Sequence, residues 1–184
     1  MPFLVALTSL KGAFERSNID ELKALGGTIA EEAFLGEDRD LVDLGVIGFS
    51  LAKLLQKRYF VGSPRWKAFF SETIRNLDLA AQSVSSEQED TARELIASIL
   101  LEVEQVSSAL GRFHVSVVAK ARTKIATDLY AHGASLGQAC ELTGAEKRFV
   151  SQYIGLTKIS DKYETLSVQQ RFQNALALFE KNGA

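Results

Sequence analysis

Apolar residues recur at intervals of three and four along most of the chain, which is the spacing of one face of an α-helix. Few breaks interrupt this pattern. The sequence has only two prolines, and Gly62-Ser63-Pro64 is the clearest stop between two segments. Gly26-Gly27 should end or kink an earlier segment. The pattern therefore predicts an all-α protein of about seven helices. Apart from a central segment, the expected helices cover residues 19–35 with the break at 26–27, 38–60, 65–83, 136–142, 146–154 and 167–181. Residues 3–14 could form a helix or a strand, and a helix is favoured.

A heptad pattern marks the central segment. Its apolar positions alternate in steps of three and four, as in helices that pack side by side. These positions are Ile96, Ile99, Val103, Val106, Leu110, Phe113 and Val117. The helical pattern then continues to His132-Gly133, which predicts one long central helix. Two interpretations stay open: the helix packs inside its own bundle, or it joins two copies of the chain into a homodimer.

The stretch Ser135–Gly155 has the layout of a helix-turn-helix. Ser135 is a good N-cap for a first helix, and Gly144 can take the positive φ that ends it. The second helix should run from about Glu146 to Ile154. Its apolar face is expected to contain Phe149, Val150, Tyr153 and Ile154.

The opposite face of this second helix carries side chains of the types that contact DNA. Lys and Arg bind phosphates or guanine, Gln pairs with adenine, and Ser contacts either. The candidate DNA-binding residues are Lys147, Arg148, Ser151 and Gln152, with Thr157 and Lys158 in a following loop. We expect affinity to come from Lys147, Arg148 and Lys158, and base specificity from Arg148, Ser151 and Gln152.

Part of this stretch resembles a known family. The string LGQACELTG, from Leu136 to Gly144, resembles the opening of a helix-turn-helix of the mercury-resistance-regulator (MerR) type. The string GLTKISD, from Gly155 to Asp161, is similar to one that follows the same motif in predicted archaeal transcriptional regulators. The resemblance implies that Lys147 and Arg148, with Ser151 and Gln152, face DNA.

Charge is distributed unevenly along the chain. The formal net charge is −2, which argues against a protein that coats nucleic acid. Residues 112–184 nevertheless carry 10 basic and 6 acidic side chains, whereas the preceding residues are acidic overall. This polarity is expected if one end meets phosphates. We therefore divide the chain into an N-terminal helical bundle, residues 1–110, and a helix-turn-helix region, residues 111–184.

Other classes of function lack their signatures. There is no phosphate-binding loop and no dinucleotide-binding glycine motif, so we expect no enzyme, no catalytic residue and no cofactor. His114, His132 and Cys140 lack metal-ligand spacing, and a single cysteine rules out an internal disulfide. The most apolar run, Leu44 to Leu55, is too short to span a membrane.

These observations lead to two hypotheses. The first is a cytoplasmic, sequence-specific transcriptional regulator that binds double-stranded DNA as a homodimer, with the N-terminal bundle dimerising or sensing a signal. The alternative is a helical protein–protein interaction module, or an antitoxin-like adaptor, that does not bind DNA.

Overall fold

The structure is a computed structural model that describes residues 2–36, 38–109, 116–157 and 172–173. These residues form nine α-helices of four residues or more and no strand, which confirms the all-α class. The helices are α1 (Phe3–Glu15), α2 (Ile19–Gly36), α3 (Arg39–Leu55), α4 (Arg58–Val61), α5 (Pro64–Ser85), α6 (Glu89–Ala109), α7 (Val117–Ala131), α8 (Leu136–Thr143) and α9 (Lys147–Thr157). The chain divides into two compact units, Met1–Arg122 and Thr123–Ala184.

The first unit is a bundle built around α3. Helix α2 packs along α3, α5 packs along α6, and α1 contacts α2, α3 and α5. Nearly every residue of α3 from Leu41 to Leu55 is buried. The apolar run that is too short for a membrane span is therefore the centre of this core. In the part of the chain that the structure describes, no helix combines the length and the apolar character needed to cross a bilayer.

The glycine pair in α2 does not end the helix, which was one of the two outcomes that the sequence predicted for it. Helix α2 runs unbroken from Ile19 to Gly36. A Cβ on Gly26 would lie 3.0 Å from Cδ2 of Phe49 and 3.1 Å from the carbonyl oxygen of Gly45. A Cβ on Gly48 would lie 3.1 Å from the carbonyl oxygen of Leu22. These glycines let α2 and α3 approach closely, and this packing outweighs the poor helix propensity of glycine.

The helix predicted over residues 38–60 is two helices. Asp38 caps α3, because its Oδ1 accepts hydrogen bonds from the backbone N–H groups of Asp40 (2.9 Å) and Leu41 (3.1 Å). The chain then breaks after Leu55 and forms the short α4 before α5. Pro64 occupies the first turn of α5, as the sequence predicts.

The prediction of a single long central helix is also wrong. The backbone N–H of Val117 donates to Oγ of Ser107 at 3.1 Å, and Oγ of Ser116 donates to Oε1 of Glu104 at 2.9 Å. Ten residues of one continuous helix would span about 15 Å. Helices α6 and α7 are therefore separate, and the start of α7 lies beside the end of α6.

The first heptad positions pack inside the chain. Ile96, Ile99 and Val103 are at most 3% exposed in the first unit. Leu110 and Phe113 lie outside the described residues. A contact between two copies of the chain therefore cannot use the three buried positions without unfolding this bundle.

Candidate nucleic-acid interface

Helix α8 begins with a complete capping box. Oγ of Ser135 accepts from the backbone N–H of Gln138 at 3.1 Å, and Oε1 of Gln138 accepts from the backbone N–H of Ser135 at 3.1 Å. These bonds satisfy two backbone N–H groups at the start of the helix, for which the helix itself offers no carbonyl acceptor. The sequence reasoning identified Ser135 but missed Gln138, although Ser-x-x-Gln is the signature of this box.

The turn between α8 and α9 consists of three residues, Gly144–Glu146. Gly144 takes φ 66° and ψ 20°, the left-handed conformation predicted for it. The buried Thr143 holds the turn: its Oγ1 donates to the carbonyl of Ala139 at 2.6 Å and accepts from the backbone N–H of Ala145 at 3.3 Å. A turn of this length with a left-handed glycine is typical of helix-turn-helix units.

One side of α9 anchors it to its own unit. Val150 is fully buried, and so is Ala139 on α8, the helix that α9 contacts. Phe149 and Ile154 are half-buried, whereas Tyr153 is 39% exposed at the edge of this face. The predicted apolar face therefore exists, with Tyr153 at its margin.

The other side of α9 brings four of the six predicted DNA-binding residues together. Positions 147, 148, 151 and 152 repeat every four residues and so share one face. All four side chains, Lys147, Arg148, Ser151 and Gln152, are exposed. Among the residues that the structure describes, none forms an ion pair with Lys147 or Arg148. Within the part of the chain that the structure describes, the face therefore presents exposed hydrogen-bond donors and two positive charges without an ion-pair partner.

Helix α9 is longer than predicted, which changes the last two candidates. It continues past Ile154 to Thr157, so Thr157 ends the helix instead of lying in a loop. Lys158 lies outside the described residues, as does the helix predicted over residues 167–181 except for the helical pair Phe172 and Gln173.

The extension adds a residue that the sequence reasoning missed. Gly155 follows Ser151 by four positions and is exposed, and a Cβ built on it would meet no atom within 4 Å. It is therefore a flat point in the middle of the polar face, where another molecule can approach the helix backbone. The four-residue spacing from Ser151 is the sequence signal that could have revealed it.

The positive charge is local to α9 and does not extend over the whole second unit. Residues 123–184 carry 7 basic and 6 acidic side chains, because Arg112, Lys120 and Arg122 precede this unit. Arg122 is also paired with Asp43, at 3.0 Å between its Nη2 and Oδ1 of the acid. The electrostatic contribution of the candidate interface therefore depends on Lys147 and Arg148.

Cys140 lies behind this face on α8. Burial raises the pKa of its thiol, and the nearby positive charge of Lys147 opposes that shift. The thiol is therefore protonated at neutral pH and is a poor nucleophile. Within the described ranges, no group of three or more His, Cys, Asp or Glu side chains is placed to hold a metal ion.

No protein family, curated protein or solved structure matches this chain significantly. The residues of the site must therefore support any functional interpretation themselves.

Proposed function

We propose that this chain is a sequence-specific DNA-binding transcriptional regulator whose α9 enters the major groove. The observation that carries the proposal is the exposed face of α9. It has two cations that no described residue pairs, a hydroxyl and an amide, and the opposite side of the helix is buried. An α-helix with its side chains is about 10–12 Å across, and the major groove is about 12 Å wide, so α9 fits into the groove.

Each side chain of this face has a role in the proposal. Lys147, at the start of the helix, contacts phosphate as a point charge. Arg148 bonds guanine through its two-pronged guanidinium, and Gln152 bonds adenine through its amide. Ser151 lies one turn after Lys147 and contacts either base or phosphate. Gly155 leaves room for the groove wall.

We further propose that the protein acts as a homodimer, because two recognition helices about 34 Å apart read two half-sites on one side of the duplex. The burial of Val103 and its neighbours means that the two copies meet through other surfaces. Analytical ultracentrifugation tests this part directly, and a monomer at every concentration would contradict it.

A second candidate function is the helical interaction module. One observation favours it: Leu156 is 76% exposed near the end of α9, beside the polar face. An exposed leucine next to polar side chains suits a protein partner better than it suits DNA phosphates.

A salt-dependent gel-shift assay separates the two candidates. We expect the full chain to shift particular genomic fragments and the Lys147→Ala/Arg148→Ala variant to lose this binding. The control variant, Lys23→Ala/Arg75→Ala, also removes two positive charges. These two side chains are ion-paired with Asp20 and Glu72 in the structure. It should bind like the wild type. Absence of any shift at about 50 mM salt would contradict DNA binding, and loss of a protein partner in Leu156→Ser would support the second candidate.

A further inference from the structure

The first unit has a basic corner of its own. Residues 44–71 contain five basic side chains and no acidic one, although the whole unit, residues 1–122, carries 14 basic and 17 acidic side chains. This segment contains α4 and the start of α5. It is the longest stretch of the unit without a carboxylate.

Three cations of this segment have no ion-pair partner among the described residues. Arg58 on α4 and Arg65 and Lys67 on α5 are exposed, and in the described part of the chain none of them forms an ion pair. We call these three residues the basic corner. Several cations elsewhere in the unit are paired instead. Lys11 contacts Asp78 at 2.6 Å, and Arg16 contacts Glu21 at 2.7 Å.

Packing between aromatic side chains fixes α4 and α5 against each other. The ring centroids of Phe60 on α4 and Trp66 on α5 lie 5.3 Å apart, so aromatic packing joins the two helices that carry the cations. Around the circumference of α5, Pro64 and Ala68 lie between Arg65 and Lys67, and all four residues are exposed. Small side chains between two cations let an extended anion approach both. The positive end of the 22-residue α5 adds to the potential there.

The chemistry of the corner favours nucleic-acid phosphates over a lipid bilayer. Binding to an anionic bilayer needs apolar side chains that insert beside the basic ones. Here Phe60 is 1% exposed, and the ring of Trp66 contacts four other aromatic rings in the core. Among residues 57–68, all of which the structure describes, Tyr59 is the one large hydrophobic side chain that is exposed, at 45%, and its ring ends in a hydroxyl. The corner therefore presents three cations beside a single amphipathic ring. Two of its three cations are arginines, whose planar forks match phosphate oxygens.

We infer that the basic corner binds the phosphate backbone of double-stranded nucleic acid without reading its sequence. This site lies in the first unit and does not depend on the role proposed for α9. It gives the protein a second, sequence-independent source of affinity, whose signature is a steep dependence of binding on salt.

Fluorescence anisotropy with the full chain and a duplex of random sequence, about 30 base pairs long, tests the inference between about 50 and 200 mM salt. The corner variant is Arg58→Gln/Arg65→Gln/Lys67→Gln. Its slope of log affinity against log salt should be shallower by about 3, one for each lost phosphate contact, with affinity at least about tenfold weaker at the lowest salt.

The matched control is Arg16→Gln/Lys23→Gln/Arg75→Gln, which also removes three positive charges, each paired with a carboxylate in the structure. Its slope should stay within about 1 of the wild type. Arg65→Gln alone should change the slope by about 1 and guards against misfolding of the triple variant.

Three results would overturn the inference: equal slopes for the corner and control variants, no binding of the wild type to the duplex, or corner-dependent binding only to phosphatidylserine vesicles. The α9 proposal fails separately. Lys147→Ala/Arg148→Ala should abolish the preference between sequences, whereas the corner variant should weaken binding to every sequence equally.

Discussion

Replacing Gly26 with alanine tests the close approach of α2 and α3 most sharply, because Gly27 beside it provides a control in the same helix. A Cβ on Gly26 meets Phe49 at 3.0 Å and the Gly45 carbonyl at 3.1 Å. A Cβ on Gly27 meets nothing within 4 Å. The two substitutions are chemically identical and differ only in what surrounds them.

The expected free energies follow from these contacts. Alanine is favoured over glycine inside a helix by about 1 kcal/mol, and this gain applies at both positions. At Gly26 the new methyl group must also displace the Phe49 ring or the backbone of α3, at a cost of about 1–3 kcal/mol. Gly27→Ala should therefore be more stable than the wild type by about 1 kcal/mol. Gly26→Ala should be less stable than Gly27→Ala by about 1–3 kcal/mol.

Urea unfolding followed by tryptophan fluorescence measures this difference in the right unit. The chain has a single tryptophan, Trp66, which lies in the aromatic cluster of the first unit. Gly48→Ala should behave like Gly26→Ala, since its Cβ would meet the Leu22 carbonyl at 3.1 Å. If Gly26→Ala were as stable as Gly27→Ala, the close contact between α2 and α3 would be refuted.

Three further predictions concern other parts of the chain. Ser135→Ala removes the capping box and should destabilise α8 by about 1 kcal/mol, seen as faster hydrogen exchange in α8; unchanged exchange would contradict the cap. Gly144→Ala forces a side chain into the left-handed conformation at φ 66°, so α8 and α9 should exchange faster by the equivalent of about 1–2 kcal/mol, and equal protection would refute the turn. Burial raises the pKa of Glu102 above its ordinary value of 4.5, and the nearby negative charge of Glu72 raises it further. Oε2 of Glu102 is buried and has no hydrogen-bond partner among the described residues. The ionised Glu102 therefore lowers stability above its raised pKa. Glu102→Gln should raise the urea midpoint at pH 7, and this advantage should vanish below about pH 4.5; a constant advantage at all pH values would contradict the burial.

The local signals in the sequence were sufficient for the helix-turn-helix stretch. A capping serine, a left-handed glycine and a four-residue repeat act within a few residues, so Ser135, Gly144 and the exposed face of α9 follow from the sequence. The length of α9 did not follow, because the poor helix propensity of Gly155 favours an end at Ile154, although its four-residue spacing from Ser151 continues the polar face.

The errors in the bundle come from contacts between distant residues. Gly26 was interpreted through its propensity, whereas Phe49 and Gly45, about twenty residues away, determine what it does. The heptad pattern similarly predicted one continuous helix through Val117. The hydrogen bond from Val117 to Ser107 shows two helices instead, and the spacing of apolar residues cannot distinguish one long helix from two that share a core. The basic corner was missed because charge was counted over long segments.

The central proposal is that α9 reads DNA sequence, and selection from a library of random duplexes by the full chain tests it most directly. At about 50 mM salt, repeated selection should enrich one motif, and Gln152→Ala should relax the preference for adenine at one position of that motif while leaving the rest unchanged. A wild-type chain that enriches no motif, or a motif that is unchanged in both Gln152→Ala and Arg148→Ala, would contradict it.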